Sequence, residues 1–111
     1  MSSSLFLVQF DINLKDDKLM PNHKNSLDIS VIVPVYNAEL FILECLNSII
    51  EQDFESMEVL VSDDHSSDGT RLVLDQFRKN DRIKIFYQQK NLGITKNCNF
   101  LLRQAKGKYI C

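Results

Sequence analysis

The sequence lacks the features that would place it in several common functional classes. Its three cysteines are odd in number and form neither a C-x-x-C pair nor a cluster with paired histidines, so we expect neither a disulfide framework nor structural zinc. The net charge of −2, without basic tracts, gives no reason to expect nucleic acid as a partner. No run approaches the ~18 apolar residues of a membrane span, and Leu5 to Phe10 is too short for a signal-peptide core. These absences predict a cytoplasmic protein in a reducing compartment.

Glycine-rich phosphate loops are also missing. The chain has only three glycines, and neither G-x-G-x-x-G nor G-x-x-x-x-G-K-[ST] occurs. Such loops bring backbone N–H groups close to a phosphate, so their absence argues against a dinucleotide dehydrogenase and a P-loop NTPase.

The patterns that are present predict one α/β domain. A chain of 111 residues, 44% of them hydrophobic, is long enough for one modest core. Apolar runs rich in β-branched residues alternate with segments whose apolar residues recur at helical spacing. The predicted strands are Ile29 to Val35, a run around Val59 to Val61, Ile83 to Tyr87 and a start at Lys108; the predicted helices are Glu39 to Ile50, Asp68 to Lys79 and Thr95 to Ala105. This order predicts a Rossmann-like parallel sheet of alternating strands and helices, with right-handed crossovers.

Residues 1–28 show no sustained periodicity and are predicted to form a loosely held leader before the domain at residues 29–111. Within the leader, the stretch LFLVQF could instead add an edge strand to the sheet.

Polar residues follow the predicted strands at the edge where parallel α/β sheets bind ligands. Tyr36 follows the first strand, Asp63 and Asp64 follow the second, and a loop from Lys90 to Gly93 follows the third. A tyrosine ring offers a flat face to a nucleobase, and an aspartate accepts hydrogen bonds from a base N–H or from ribose hydroxyls. The set therefore suits a nucleotide, with a metal to offset the diphosphate charge in place of a glycine-rich loop. The alternative is that these residues serve only as turn and helix-cap residues.

Several blocks in order and spacing resemble the front half of a family 2 glycosyltransferase. They are ISVIVPVYNAELFILECLNSIIEQDFESMEVLVSDDHSSDGT, QQKNLGITKNCNF and AKGKYI. The resemblance implies the N-terminal half of a GT-A fold. It also implies transfer of a sugar from a nucleotide-diphosphate donor, by default a UDP-sugar, to an acceptor hydroxyl in polysaccharide or glycoconjugate synthesis.

The resemblance also implies roles for individual residues. Positions matching Pro34 and Tyr36 line the base pocket, and the position matching Asp64 contacts the nucleoside, while Asp63 supports the turn. Two positions depart from the pattern. His65 stands where the family often has glycine, which we interpret as a tolerated turn variant. Cys98 stands where many members carry arginine, which leaves Lys96 as the candidate basic contact or as a solvated helix residue.

The chain stops at Cys111, just before the family's D-x-D acids. The resemblance therefore implies that the full-length enzyme uses a divalent metal, Mn or Mg, whose ligands lie outside this chain. Catalytic residues cannot be assigned, and the 111-residue chain alone is predicted to be inactive. We expect a nucleotide-sugar donor, an unknown acceptor and self-association of the truncated domain.

Two other functions fit parts of the pattern. The first is a non-catalytic nucleotide-binding or interaction fragment. The second is a phospho-receiver domain, which also has βα repeats and paired aspartates. The receiver interpretation fails because its acidic pair should follow the first strand, whereas Asp63 and Asp64 follow the second.

Overall fold

The computed structural model of the protein describes residues 5–6, 28–52 and 56–111. Within them lies one five-stranded sheet with helices. The strands are β1 (Leu5–Phe6), β2 (Ile29–Tyr36), β3 (Met57–Asp63), β4 (Ile83–Tyr87) and β5 (Tyr109–Ile110); the helices are α1 (Ile42–Ile50), α2 (Thr70–Asp75) and α3 (Ile94–Gln104).

Four of the strands are parallel. β2 pairs with β3 and β3 with β4, while β5 pairs with the other side of β2 at Ile29 and Ser30, so the spatial order is β5-β2-β3-β4. This confirms the predicted α/β class. β1 adds a short antiparallel pairing with Val35 and Tyr36 at the end of β2. Leu5–Phe6 therefore adds an edge strand, as the alternative prediction had it. Residues 1–4 and 7–27 of the predicted leader lie outside the described residues. The domain boundary stays a prediction.

The core lies mainly between the sheet and the first two helices. Every residue of β3 is buried, as expected for a strand covered on both faces. The odd-numbered apolar residues of β2 and β3 pack with the apolar stripe of α1 and with Leu74 of α2. α3 contacts β2 and β3, and its buried Leu101 lies outside this cluster. A right-handed crossover back from β4 to β5 places α3 on the opposite face of the sheet.

α1 begins at Ile42, three residues later than the predicted start at Glu39. A turn precedes it, closed by the Phe41 N–H donating to the Ala38 carbonyl at 2.9 Å. The Ala38 N–H donates to Thr70 Oγ1 at 2.9 Å, which ties this turn to the start of α2. Tertiary contacts therefore replace the first helical turn that the sequence pattern predicted.

α2 ends at Asp75 rather than at the predicted Lys79. The next N–H groups bond three residues back, as in Phe77 N–H to the Leu74 carbonyl at 2.9 Å. Such bonds tighten the last turn toward 3₁₀ geometry, so the apolar spacing continues although the α-helix has ended.

Cys45 lies on α1 and packs against the core. Burial raises the pKa of the Cys45 thiol to about 11, so the thiol stays protonated at neutral pH.

The edge strand β5 exposes nearly half of the Tyr109 and Ile110 side chains. Open sheet edges favour association, and self-association of this chain stays a prediction. Among the residues that the structure describes, no helix has the length and apolar character needed to span a bilayer.

Candidate functional site

The register of β2 and β3 brings the predicted polar residues together. Val35 pairs with Asp63, and the Asp64 N–H donates to the Val35 carbonyl at 2.8 Å. Tyr36 and Asp64 therefore lie side by side at the carboxyl edge of the sheet. They line a pocket of about 260 Å³ together with Val35, Asn91, Gly93, Ile94 and Asn97.

Asp64 is buried and holds the loop that precedes α3. Its Oδ1 accepts the Leu92 N–H at 2.6 Å, and its Oδ2 accepts the Gly93 N–H at 2.9 Å. The Asn91 side-chain amide donates to the Asp64 carbonyl at 3.2 Å. Gly93 has a φ of 90°, a backbone angle that glycine adopts without steric cost. The carboxylate thus lies at the positive end of the α3 dipole, where negative charge is stabilised.

Asp63 is fully buried and points into the turn that follows β3. Its carboxylate accepts the Ser66 N–H at 3.1 Å and the Ser66 hydroxyl, and it pairs with the Arg71 Nε at 2.7 Å. Arg71 also donates to the Gln88 carbonyl at 2.8 Å, which links α2 to the end of β4. Asp63 is therefore a structural acid that supports the turn. Sequence reasoning did not single out Arg71 as its partner.

Two residues in this region have positive φ. His65 has a φ of 62° and Asn37 a φ of 49°. Glycine adopts such angles at no steric cost, so His65 occupies a turn position where glycine would also fit. His65 is exposed and does not line the pocket. The Asn37 side-chain oxygen accepts the Ser67 N–H at 2.9 Å, which links the end of β2 to the turn that follows β3.

Asp68 lies one residue before Gly69, the N-cap of α2, and its side chain bonds to backbone N–H groups there. Its carboxylate accepts the Thr70 N–H at 2.9 Å and the Glu39 N–H at 3.3 Å. Partial burial alone would raise the pKa of this carboxyl, but the hydrogen bonds from Thr70 and Glu39 stabilise the anion and lower the pKa below its usual value.

The other two predicted site residues lie outside the pocket lining. Pro34 is buried within β2, opposite Ser62 of β3, and Lys96 is exposed on α3. Their assignment to the nucleotide, like those of Tyr36 and Asp64, stays a prediction. Of the four residues, the structure brings only Tyr36 and Asp64 to the same cavity.

Asn97 is a pocket residue that sequence reasoning missed. It is 1% exposed, and its Nδ2 donates to the Ser62 carbonyl at 2.9 Å. The spacing of four residues between Asn97 and the buried Leu101 is the one pattern that could have placed it on the inner face of α3.

The described residues do not form a metal centre. No group of three or more His, Cys, Asp or Glu side chains within them could hold an ion. Asp63 is engaged by Arg71, and both carboxylate oxygens of Asp64 accept loop N–H groups. These two acids therefore do not fit the role of metal ligands, and no chemistry through a metal is assigned to them.

Comparison with known proteins identifies the family. The family model described as glycosyl transferase family 2 matches residues 30–111. The chain belongs to glycosyl transferase family 2. This confirms the resemblance seen in the sequence.

Individual family members support the assignment. The chain is 42% identical over 84 residues to a GalNAc(5)-diNAcBac-PP-undecaprenol beta-1,3-glucosyltransferase of Campylobacter jejuni, covering 74% of this chain and 27% of that protein. It superposes on residues 1–349 of Staphylococcus aureus TarS in complex with UDP-GlcNAc with a TM-score of 0.70 and 39% identity, covering 76% of this chain and 25% of that one. The mannosyltransferase PcManGT of Pyrobaculum calidifontis, in complex with GDP-Man and Mn2+, gives a TM-score of 0.69 at 29% identity, over 78% of this chain and 27% of that one.

These family members are transferases with GT-A folds, which confirms the predicted fold half and enzyme class. The chain spans a third or less of the length of the first curated relatives that it matches.

Proposed function

We propose that this chain forms the nucleotide-binding part of a glycosyltransferase. The enzyme transfers a sugar from a nucleotide-diphosphate donor to an acceptor hydroxyl in the synthesis of a polysaccharide or glycoconjugate. The observation that carries this proposal is the shared pocket of Tyr36 and Asp64 at the carboxyl edge of the sheet. Ligands of open α/β folds bind at this edge.

The shape of the pocket suits a nucleobase. Its volume of about 260 Å³ is slightly below the roughly 300–1,000 Å³ of sites that enclose a whole drug-sized ligand. Tyr36 is half-buried and contributes an aromatic ring, and Val35 and Ile94 add apolar surface. The base therefore occupies the pocket, while the ribose and diphosphate lie outside it.

Asp64 supplies the polar contact to the nucleoside. Each oxygen of an ionised carboxylate has two lone pairs, and each Asp64 oxygen accepts one loop N–H. One acceptor position per oxygen therefore remains for a base N–H or a ribose hydroxyl. Because both oxygens are held by the backbone, the carboxylate is fixed in place before the ligand arrives, which lowers the ordering cost of binding.

We take uridine diphosphate as the nucleotide of the donor. TarS, at 39% identity, has been solved with UDP-GlcNAc, whereas PcManGT, at 29% identity, has been solved with GDP-Man. The greater similarity to TarS favours uridine over guanosine. Teichoic acid and undecaprenol-linked glycan synthesis among the relatives supports a polysaccharide or glycoconjugate product.

Calorimetric titration with UDP tests the proposal. We expect the wild-type chain to bind UDP and Tyr36→Ala to bind it roughly 5- to 150-fold more weakly, because stacking of a base on an aromatic ring contributes about 1–3 kcal/mol. Tyr36→Phe is the matched control, since it keeps the ring and should keep most of the affinity. Absence of UDP binding to the wild type, or equal affinity of wild type and Tyr36→Ala, would contradict the proposal.

A further inference from the structure

We propose that Asn97 is a specificity-determining residue that donates a hydrogen bond to a carbonyl oxygen of the nucleobase. With Asp64 as acceptor, it selects a base that carries an N–H beside a carbonyl, such as uracil, over cytosine. This inference rests on the proposed nucleotide site, and it adds the residue and the chemistry that discriminate between bases.

The position of Asn97 places an amide inside the pocket. Asn97 lies in the first turn of α3, where its N–H donates to the Gly93 carbonyl at 3.0 Å, and its side chain lines the cavity while remaining 1% exposed. A buried polar side chain is costly unless its hydrogen-bonding groups are satisfied. Its hydrogen bonds therefore determine what it can offer to a ligand.

The hydrogen-bond network fixes the orientation of the amide. Gln88 Nε2 donates to Ser62 Oγ at 2.9 Å, so the single hydroxyl proton of Ser62 is free to donate to Asn97 Oδ1, 2.5 Å away. Asn97 Nδ2 in turn donates to the Ser62 carbonyl at 2.9 Å. A flipped amide would set Oδ1 against that carbonyl oxygen. The network therefore permits one orientation only.

In this orientation Asn97 has one donor left. A side-chain amide has two N–H groups on Nδ2, and the Ser62 carbonyl takes one of them. Oδ1 is engaged by the Ser62 hydroxyl. The group that Asn97 offers to a ligand is thus the second N–H, a neutral donor held in place by Ser62 of β3.

Asp64 and Asn97 present opposite polarity to one ligand. The Asp64 carboxylate only accepts hydrogen bonds, and Asn97 donates one. Uracil matches this pair with its N3–H and O4, whereas cytosine presents an unprotonated ring nitrogen and an amino donor. Cytosine would therefore leave the carboxylate facing a lone pair and the Asn97 N–H facing another donor. Sites that rely on buried polar groups discriminate strongly against ligands that leave those groups unpaired.

The test compares UDP and CDP binding by calorimetry. We expect the wild-type chain to prefer UDP by at least about tenfold, since cytosine leaves two buried groups unpaired and each costs about 1–3 kcal/mol. Asn97→Ala should lower the ratio of UDP to CDP affinity several-fold, mainly through weaker UDP binding, while Asp64 keeps the remaining preference. Asn99→Ala, an exposed asparagine on the same helix, is the matched control and should keep both affinities. If Asn97 acts only in packing, Asn97→Ala will weaken both nucleotides equally and leave their ratio unchanged, which overturns the inference.

A second measurement needs no variant. Replacing O4 of UDP by sulfur gives a weaker acceptor, so 4-thio-UDP should bind the wild-type chain several-fold more weakly than UDP. Equal affinity for UDP and 4-thio-UDP, or for UDP and CDP, overturns the role of Asn97 while leaving the proposed nucleotide site intact. Failure of all three nucleotides to bind overturns both.

Discussion

Replacement of Asp64 by alanine tests two roles of this carboxylate, which are to hold the loop before α3 and to bind the nucleoside. In the folded chain its two oxygens hold the Leu92 and Gly93 N–H groups at 2.6 and 2.9 Å. The side chain is nearly inaccessible, since the residue is 3% exposed. Alanine would leave both N–H groups of the loop without their acceptor and would remove the negative charge from the start of α3.

The expected loss of stability follows from these two bonds. A hydrogen bond to a charged group contributes about 1.5–3 kcal/mol, and the cost of burying the carboxylate offsets part of the sum. We therefore expect Asp64→Ala to lower the free energy of unfolding by about 2–4 kcal/mol, which lowers the Tm of a domain of this size by roughly 10–25 °C.

The binding effect is measured on the fraction that remains folded. We expect UDP affinity to fall by roughly ten- to a hundredfold, because the bond to the nucleoside is also charge-assisted. Thermal melts and calorimetric titrations well below the Tm separate the two effects. Asp81→Ala, an exposed aspartate before β4, is the control and should change neither. An Asp64→Ala chain with wild-type Tm and wild-type UDP affinity would refute the reasoning.

Three further predictions concern packing, pH and metal. Gly107→Ala should destabilise the chain by about 1–3 kcal/mol in denaturant unfolding, because its Cβ would lie 2.7 Å from the Ser30 backbone N. In the control Gly69→Ala, the atoms nearest to the Cβ belong to the flexible Glu39 side chain, which can move away. An equal loss of stability in both variants would contradict the prediction. The raised pKa of Cys45 keeps the folded thiol neutral while the unfolded thiol ionises, so the free energy of unfolding should decrease as the pH rises from 9 to 11. Cys45→Ala should lack this part of the pH dependence. Parallel curves of unfolding free energy against pH for the wild type and Cys45→Ala would disprove the prediction. UDP affinity should be nearly the same with and without Mn²⁺, because the Asp63 carboxylate is already paired with Arg71 and is not available as a metal ligand. Strong dependence of UDP affinity on Mn²⁺, or sugar transfer by this chain, would contradict this prediction.

The centre of the sheet was predictable from sequence because β2 and β3 are apolar runs that are buried on both faces. Ile83–Tyr87 matches its predicted bounds, and β2 extends its prediction by only one residue, Tyr36. The helix ends were less predictable, since the turn before Ile42 depends on Thr70, a residue distant in sequence. Local apolar spacing carries no information about such a contact.

The site was predictable in part, because two of its residues lie at the ends of predicted strands. Tyr36 ends β2 and Asp64 follows β3, so the parallel pairing of these neighbouring strands brings both residues to one edge. Asn97 belongs to the pocket only because α3 packs against β3, where Ser62 meets its amide. Lys96, one residue earlier, points to solvent for the same geometric reason, since adjacent helical residues lie on different faces.

The central claim is that a nucleoside diphosphate binds between Tyr36 and Asp64, and amide chemical-shift mapping tests it most directly. A ¹⁵N-labelled chain is titrated with UDP, and the shift of each backbone amide is followed. The account predicts saturable shifts concentrated at Tyr36, Asp64, Gly93 and Asn97, with β5 at Tyr109–Ile110 unaffected, since those four residues line the pocket and β5 does not. Absence of saturable shifts, or shifts centred away from the carboxyl ends of β2 and β3, would contradict it.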